Sequence, residues 1–410
     1  MDPEYLAALV FLVLLGGLIL MERKKISLQK ILFPVFYLVM YRTEIGISLM
    51  DRVAKKIPRT LRVLGIIGIG VGFLGMILLV GLLVQNFYEL LTKPEAVAGV
   101  GLVLPVRAKG VFFVPFFYWI ISIFLLAAVH EFSHGVVARA YKMKVKSSGF
   151  AVFSIFVPLI PAAFVEPDEK ELQKRPYKEQ LSVFAAGPFS NVLFAGVILL
   201  SLLFIISPLI SHAVAFKGVT ITGFGDTNVT TPAQRAGVLE GETIIALNGT
   251  KVLIVDDLAT ILSRYHPEET VTIQTESGFF PVTLGEHPLN KSIPYLGVSL
   301  EQKFAYKGWF NTYPMITNAL LWITGMPQRV GWQLSYPVRG YGLGLLFWLY
   351  LLNVGIGMFN LVPIGPVDGG RMIQLPLRKL FGQEKGDRVW KYVSLITLAI
   401  VLGTMVFAFL

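Results

Sequence analysis

The chain contains no cysteine, which excludes disulfide bonds and any metal site built on thiolates. Charged residues are also scarce, at 15% of 410 residues, and only five histidines are present. A metal site in this chain must therefore use histidine and carboxylate ligands. Hydrophobic residues make up 54% of the sequence and the mean hydropathy is +0.67, which indicates a membrane protein rather than a soluble globular domain.

Six apolar runs are long enough to cross about 30 Å of hydrocarbon. They lie at Tyr5–Met21, Leu64–Val84, Val111–Val129, Leu181–Ile206, Tyr341–Leu361 and Val393–Leu410. Two shorter apolar stretches, Ile31–Met40 and Met315–Thr324, are predicted to lie at the interface or to pack inside the bundle. The sequence thus predicts a polytopic α-helical protein of the cell membrane with about six transmembrane helices.

Lysine and arginine predict the orientation of these spans. About two thirds of the basic residues lie in three segments that follow the first, third and fifth spans: Arg23–Arg62, Arg139–Lys178 and Arg371–Lys391. The positive-inside rule places these segments in the cytoplasm and both termini outside. The formal net charge of +10 is then explained by topology, and no nucleic-acid partner is expected.

The strongest single motif is HEFSH, from His130 to His134. Its two histidines are four residues apart and share one helix face, so both imidazoles can bind one zinc ion. Glu131 is the candidate general base. The motif ends the uncharged run Val111–Val129, where ionisable residues are costly unless they bind something. The alternative is two histidines at helical spacing on an interfacial helix, since the pattern also occurs by chance.

Two further motifs lie in later spans. Ala185–Asn191 (AAGPFSN) offers small residues that let a helix or a peptide backbone approach, and Asn191 is an amide that can hydrogen-bond it. Asn360–Gly370 (NLVPIGPVDGG) predicts a broken helix, which membrane proteins tolerate where it lines a cavity. Asp368 in this break is the candidate third zinc ligand, and helix capping at the cytoplasmic edge is the alternative.

From about Ala213 to Gln302 the pattern changes to short alternating strands, with an Asn248-Gly249 turn between two of them. The order of elements resembles a PDZ domain, which implies capture of peptide ends. The terminus-binding loop is expected near Ile221–Gly225. A spacer without a ligand is the alternative. The topology places this α+β module outside the cytoplasm, as an insertion between two halves of a membrane core at residues 111–212 and 303–375.

The three motifs, in this order, resemble the site-2 protease family of intramembrane zinc metalloproteases. The likeness spans roughly Val111–Arg371. One departure is Gly365, where the family pattern more often has a second proline after Pro363. The spans outside this region receive no role from the resemblance.

The resemblance implies a role for five residues. His130, His134 and Asp368 are expected to bind zinc. Glu131 is expected to activate the attacking water, and Asn360 to help hold the substrate carbonyl. Three protein ligands leave a fourth position for water, which zinc acidifies to a pKa of about 7.

The leading function is therefore an intramembrane endopeptidase that acts on single-span membrane proteins. Such a substrate must unwind, and Gly149–Pro161 is predicted to form a re-entrant strand or loop that pairs with it, or else a simple connector. Two alternatives remain: a membrane-anchored metallopeptidase for soluble peptides, and a non-catalytic scaffold or transporter. A scaffold or transporter would not require Glu131.

Overall fold

A computed structural model of the chain describes residues 3–23, 26–32, 36–94, 96–155, 157–206, 208–209, 212, 214–225, 230–287, 290–308, 323, 331–333, 336–338, 344–365 and 367–409. The chain divides into two compact units. One consists of Met1–Ile198 with Trp348–Leu410, and the other of Leu199–Phe347. The predicted interfacial stretch Met315–Thr324 lies almost entirely outside the described residues.

The helices are, in chain order, α1 (Pro3–Met21), α2 (Ile47–Lys56), α3 (Pro58–Thr92), α4 (Phe116–Ala140), α5 (Glu169–Gln173), α6 (Tyr177–Ser201, followed by a π-helical turn at Leu202–Ile206), α7 (Pro232–Arg235), α8 (Val255–Leu262), α9 (Leu345–Phe359), α10 (Asp368–Phe381) and α11 (Gln383–Phe409). The strands are β1 (Ile26–Leu32), β2 (Phe36–Thr43), β3 (Leu102–Leu104), β4 (Val111–Phe113), β5 (Val145–Ile155), β6 (Val157–Pro167), β7 (Val214–Phe224), β8 (Thr243–Leu247), β9 (Thr250–Lys251), β10 (Thr270–Thr275), β11 (Phe279–Thr283), β12 (Gly285–His287), β13 (Asn290–Tyr295), β14 (Val298–Tyr306), β15 (Gly331–Gln333) and β16 (Tyr336–Val338).

Within the described residues, four helices are long and apolar enough to cross a membrane: Pro58–Thr92, Phe116–Ala140, Tyr177–Ile206 and Gln383–Phe409. They contain the second, fourth and sixth predicted spans and most of the third. The first and fifth predicted spans fall on shorter apolar helices, Leu6–Met21 and Leu345–Phe359. The third span differs from its prediction at both ends, because Val111–Phe113 is a strand and α4 continues through HEFSH to Ala140.

A four-stranded antiparallel sheet in the first unit has the strand order β1-β2-β5-β6. The predicted re-entrant stretch Gly149–Pro161 supplies parts of β5 and β6 and is therefore strand rather than a mere connector. The described residues of the apolar stretch Ile31–Met40 belong to β1 and β2. Strand β6 is at one edge of the sheet and packs along α4, the helix that carries HEFSH.

Helix α3 packs on the segment around Asp368 although it lies before the region that carries the resemblance. Its glycines make this close approach possible. A Cβ on Gly72 would lie 2.7 Å from Cε of Met372, and one on Gly75 would lie 2.7 Å from Cδ1 of Leu361. Both partners are fully buried.

The second unit contains the β-rich module, as predicted. Its sheet has the order β11-β10-β8-β7-β14, with β9 paired to β8, and α8 covers part of its core. The predicted strand Thr243–Leu247 and the Asn248-Gly249 turn are confirmed. The predicted loop at Ile221–Gly225 is wrong, because strand β7 continues to Phe224. The PDZ assignment stays a prediction.

Candidate metal centre

His130 and His134 lie one turn apart on α4, and both are buried, with 7% and 8% of their surface exposed. Their Nε2 atoms are 3.2 Å apart. Oδ2 of Asp368 lies 3.0 Å from Nε2 of His130 and 3.3 Å from Nε2 of His134. The structure thus brings together three donors that are up to 238 residues apart in the chain.

This donor set fits zinc. Bonds of 2.0–2.2 Å to tetrahedral zinc place neighbouring donors about 3.3–3.5 Å apart. The three observed separations, from 3.0 to 3.3 Å, lie at or just below that range. Two neutral imidazoles and one carboxylate are a zinc-type ligand set that leaves a fourth position open. In the part of the chain that the structure describes, this is the group of histidine and acidic residues that meets the geometry of a metal site.

Asp368 reaches the histidines because the chain folds tightly just before it. The loop that follows α9 turns back so that the N–H of Gly369 donates to the carbonyl oxygen of Asn360 at 2.8 Å. A Cβ on Gly369 would collide with the carbonyl oxygen of Leu361, and one on Gly370 with that of Ile364. Asp368 is the first residue of α10, and its Oδ2 atom contacts Nε2 of both histidines.

Helix α6 orients both imidazoles. Nδ1 of His134 lies 2.6 Å from the carbonyl oxygen of Val183, and a carbonyl oxygen can only accept. Nδ1 of His134 therefore carries the proton, and Nε2 keeps its lone pair for a metal. The tautomer that zinc requires is set by the backbone of the neighbouring helix.

Asn191 does the same for His130. Its Nδ2 lies 3.2 Å from Nδ1 of His130, while its buried Oδ1 has no hydrogen-bond partner among the described residues. The two ends of a side-chain amide are assigned from the hydrogen-bond network. Turning the amide by 180° lets Oδ1 accept the Nδ1 proton of His130 and satisfies the orphaned oxygen. Asn191 thus contacts a histidine on another helix, and its contact with a substrate backbone stays a prediction.

Gly187 leaves the space in front of the donors open. A Cβ at this position would lie 2.5 Å from Nε2 of His130 and closer still to Nε2 of His134. The sequence indicated that this motif permits close approach, but not that the approaching groups are the metal ligands. Its proline, Pro188, stands inside α6 without ending it.

Glu131 lines the same cavity as the three donors, and its Oε2 accepts a hydrogen bond from the N–H of Val165 at 3.0 Å. The cavity has a volume of about 840 Å³. Its wall includes Asn360 and Arg371, together with β1, β2 and the end of β6. The structure therefore gathers every residue that the sequence singled out, with Asn191 behind the histidines rather than on the cavity wall.

Two backbone groups at this site escaped the sequence analysis, the carbonyl of Val183 and the amide of Val165. Neither has a side-chain signature. Their only signal is indirect. Val183 lies four residues before Gly187, one turn earlier on α6. Val165 lies in β6, the strand that also contains the end of the predicted re-entrant stretch.

A family model for peptidase family M50 matches residues 118–404. Among similar proteins is the zinc metalloprotease RasP of Shouchella clausii, 25% identical over 60% of this chain and 62% of its own length. Another is a putative zinc metalloprotease of Clostridium perfringens, 20% identical over 68% of this chain and 87% of its own. An uncharacterized protein of Methanocaldococcus jannaschii is 24% identical over 80% of this chain and 74% of its own length. The chain thus spans less than two thirds of the first of these relatives.

Proposed function

The chain belongs to peptidase family M50, and on that premise we propose that it is a zinc endopeptidase acting within or near transmembrane segments of membrane proteins. The family match confirms the predicted membership in the site-2 proteases. Together with the apolar helices, it makes the chain an integral membrane protein. The proposal rests on one observation. His130, His134 and Asp368 offer ligand atoms within 4.8 Å of one another beside Glu131. Helix α4, which carries both histidines and Glu131, is long and apolar enough to cross a membrane.

The chain's own residues divide the chemistry among them. Zinc held by the three donors supplies a Lewis acid for water and for the peptide carbonyl. Glu131 takes a proton from the attacking water at its Oε1 atom and passes it to the amine of the leaving peptide. Asn360 lines the cavity and holds the carbonyl of the substrate. Val183 and Asn191 keep the histidine Nε2 atoms pointed at the metal.

The substrate is a single-span membrane protein, because α4 and α6, two helices long and apolar enough to cross a membrane, contribute residues to the cavity wall. A helical substrate shields its peptide bonds with its own hydrogen bonds, so it must unwind before it is cut. Strand β6, at the edge of the sheet and in contact with α4, offers backbone groups to an unwound segment. This supports the predicted pairing between the substrate and the re-entrant strands.

The β-rich module binds a peptide tail. An apolar cavity of about 240 Å³ is present in this module, between α8 and the segment from Ile293 to Leu300. A helix beside a sheet edge is the arrangement by which PDZ-type modules hold peptide ends. The groove thus lies at Tyr295–Val298, and not at the predicted loop near Ile221–Gly225.

The module faces outside and HEFSH lies toward the cytoplasm, as the basic residues indicate. The absence of cysteine makes this testable with single introduced cysteines. Thr250→Cys in the module and Lys174→Cys before α6 are both exposed positions. In intact cells, a membrane-impermeant maleimide should label position 250 and not position 174. The reverse pattern would invert the topology.

The function is tested with purified full-length protein in detergent or lipid. A panel of single-span test substrates and soluble peptides of matched sequence is incubated with the parent protein and with Glu131→Gln, and cut sites are mapped by mass spectrometry. We expect cleavage within or next to the span, loss with a zinc chelator and recovery with added zinc. Glu131→Gln should cleave about 10²–10⁴-fold more slowly. Cleavage of soluble peptides alone would favour the membrane-anchored peptidase, and no cleavage by the zinc-loaded parent would favour the scaffold.

A further inference from the structure

The amide of Val165 points out of the sheet and toward the candidate base. In an antiparallel pair, the N–H groups of alternate residues face the partner strand. The N–H of Asp168 donates to the carbonyl oxygen of Lys144, on the β5 side. Even-numbered residues at this end of β6 therefore face β5, and the odd-numbered ones face the open edge, where Val165 meets Glu131.

The odd-numbered positions at this edge are Pro161, Ala163, Val165 and Pro167. The two prolines have no N–H, and a sheet edge tolerates proline because no ladder hydrogen bond is lost there. This edge thus tolerates the loss of outward-facing amides at its ends. The edge keeps the outward-facing amide of Val165, which donates to Glu131.

A second observation shows that α4 and β6 are fitted to each other at this point. Gly135 lies one turn after Glu131 on the same face of α4. A Cβ on Gly135 would lie 3.1 Å from Cγ1 of Val165 and 2.5 Å from Sδ of Met50. Because Gly135 has no side chain, the strand comes close enough for the amide of Val165 to reach the carboxylate of Glu131.

We propose that the backbone N–H of Val165 is a positioning group for the general base, an inference that rests on the proposed peptidase function. A glutamate side chain has several rotatable bonds, and ordering it costs conformational entropy. A hydrogen bond from a fixed backbone amide to one carboxylate oxygen holds the side chain. Oε2 is anchored on the strand, and Oε1 is left to accept the proton. The sheet and the metal centre are thereby connected through one hydrogen bond.

Kinetics of full-length, zinc-loaded variants test this role. Val165→Pro removes the amide N–H and the valine side chain and uses a residue already present at positions 161 and 167. Val165→Ala keeps the amide and shortens the side chain. Ala163→Pro controls for the effect of proline on thermal stability and zinc content. We expect Val165→Pro to keep its zinc and its KM and to lose kcat by about tenfold or more. Val165→Ala keeps the amide and should therefore lose less kcat than Val165→Pro does.

A double-mutant comparison separates positioning from general structural damage. In the Glu131→Gln background, whose residual rate no longer depends on a base, Val165→Pro should cause no further loss. An equal loss in both backgrounds, or full kcat in Val165→Pro, would overturn the proposal.

A measurement without catalysis keeps this proposal separate from the proposed function. Hydrogen–deuterium exchange of the Val165 amide should be slow in the parent and in Glu131→Gln, whose amide oxygen still accepts. In Glu131→Ala it should be at least tenfold faster. If the parent is inactive but shows this pattern, the peptidase function fails while the contact stands. Exchange that is unchanged in Glu131→Ala shows that the contact is not formed, whatever the activity.

Discussion

The metal-centre cavity and the groove of the β-rich module are built in opposite ways. The first is lined by ionisable residues of both signs, including Glu131, Asp368 and Arg371. The second is lined almost entirely by apolar residues, and His287 is the histidine on its described wall. Burial lowers the pKa of His287 and so favours the neutral imidazole. The proposed chemistry in the first cavity depends on particular side chains, whereas the proposed peptide recognition in the second depends on shape and backbone.

The comparison teaches which sites tolerate substitution. A metal ligand or a general base cannot be replaced, because the reaction requires its particular donor or acceptor atom. A groove wall can change as long as its volume and apolar character are kept. Four predictions, in order of decreasing effect, test this difference.

The largest effects are expected inside the metal centre, where ligands and base must behave differently. His130→Ala, His134→Ala and Asp368→Ala each remove one of three donors, so zinc should be lost or held much more weakly. Glu131→Gln keeps all donors and should retain zinc while activity falls by about 10²–10⁴-fold. Metal analysis and cleavage assays on the same four purified variants measure both. Full zinc in Asp368→Ala would place the third ligand elsewhere.

A single methyl group should be nearly as damaging at Gly187. Its Cβ would occupy the space beside both histidine Nε2 atoms. The backbone of Gly187 could move away from these atoms only if α6 moved as a whole. Gly187→Ala should therefore lose most of its zinc and its activity. Gly196→Ala, on the same helix with no atom within 4 Å of the added Cβ, is the matched control and should match the parent. Normal zinc in Gly187→Ala would mean that α6 and α4 are further apart than described.

Asn191 should have a smaller effect, because it acts on zinc through His130. Asn191→Ala leaves the Nδ1 proton of His130 without an acceptor and should weaken zinc binding by about 10–100-fold. Asn191→Asp keeps an acceptor and should bind zinc more tightly than Asn191→Ala. Competition with a chromophoric chelator gives both affinities. If Asp is no better than Ala, Asn191 donates to His130 rather than accepting, and the tautomer assignment is wrong.

Most of the metal centre could be predicted from sequence because its chemistry resides in rare side chains. His130 and His134 are predictable from their helical spacing at the end of an uncharged apolar run. Asp368 was predicted from the broken helix around it, and Asn360 was predicted from the family resemblance. What the sequence did not reveal are backbone contributions, the carbonyl of Val183 and the amide of Val165, since every residue has these groups and only the fold decides which are used.

The strands show the same limit. Thr243–Leu247 was predictable because it is a short apolar run that ends in an Asn-Gly turn. Strands β1 and β2 were missed because their apolar residues form one stretch, Ile31–Met40, which periodicity alone does not distinguish from a buried helix. The groove was misplaced because it forms between α8 and a strand far from it in sequence, and a pairing of that kind leaves no local pattern.

The smallest effect on catalysis, and the sharpest test of the comparison, is expected in the groove. Ala259 lines it on α8, and the next residue, Thr260, is exposed. Ala259→Arg puts a charged side chain into an apolar cavity and should weaken binding of peptides with apolar carboxyl-terminal residues by about tenfold or more. Thr260→Arg adds the same charge on the outer face and should bind like the parent. Binding to the full-length protein is measured by fluorescence anisotropy, with amidated peptides to test whether the terminal carboxylate is needed. Both variants should keep parental zinc content, since the groove contributes no metal ligand. Equal peptide binding by parent and Ala259→Arg would make the module a spacer, and the two cavities would then differ in whether they bind anything at all.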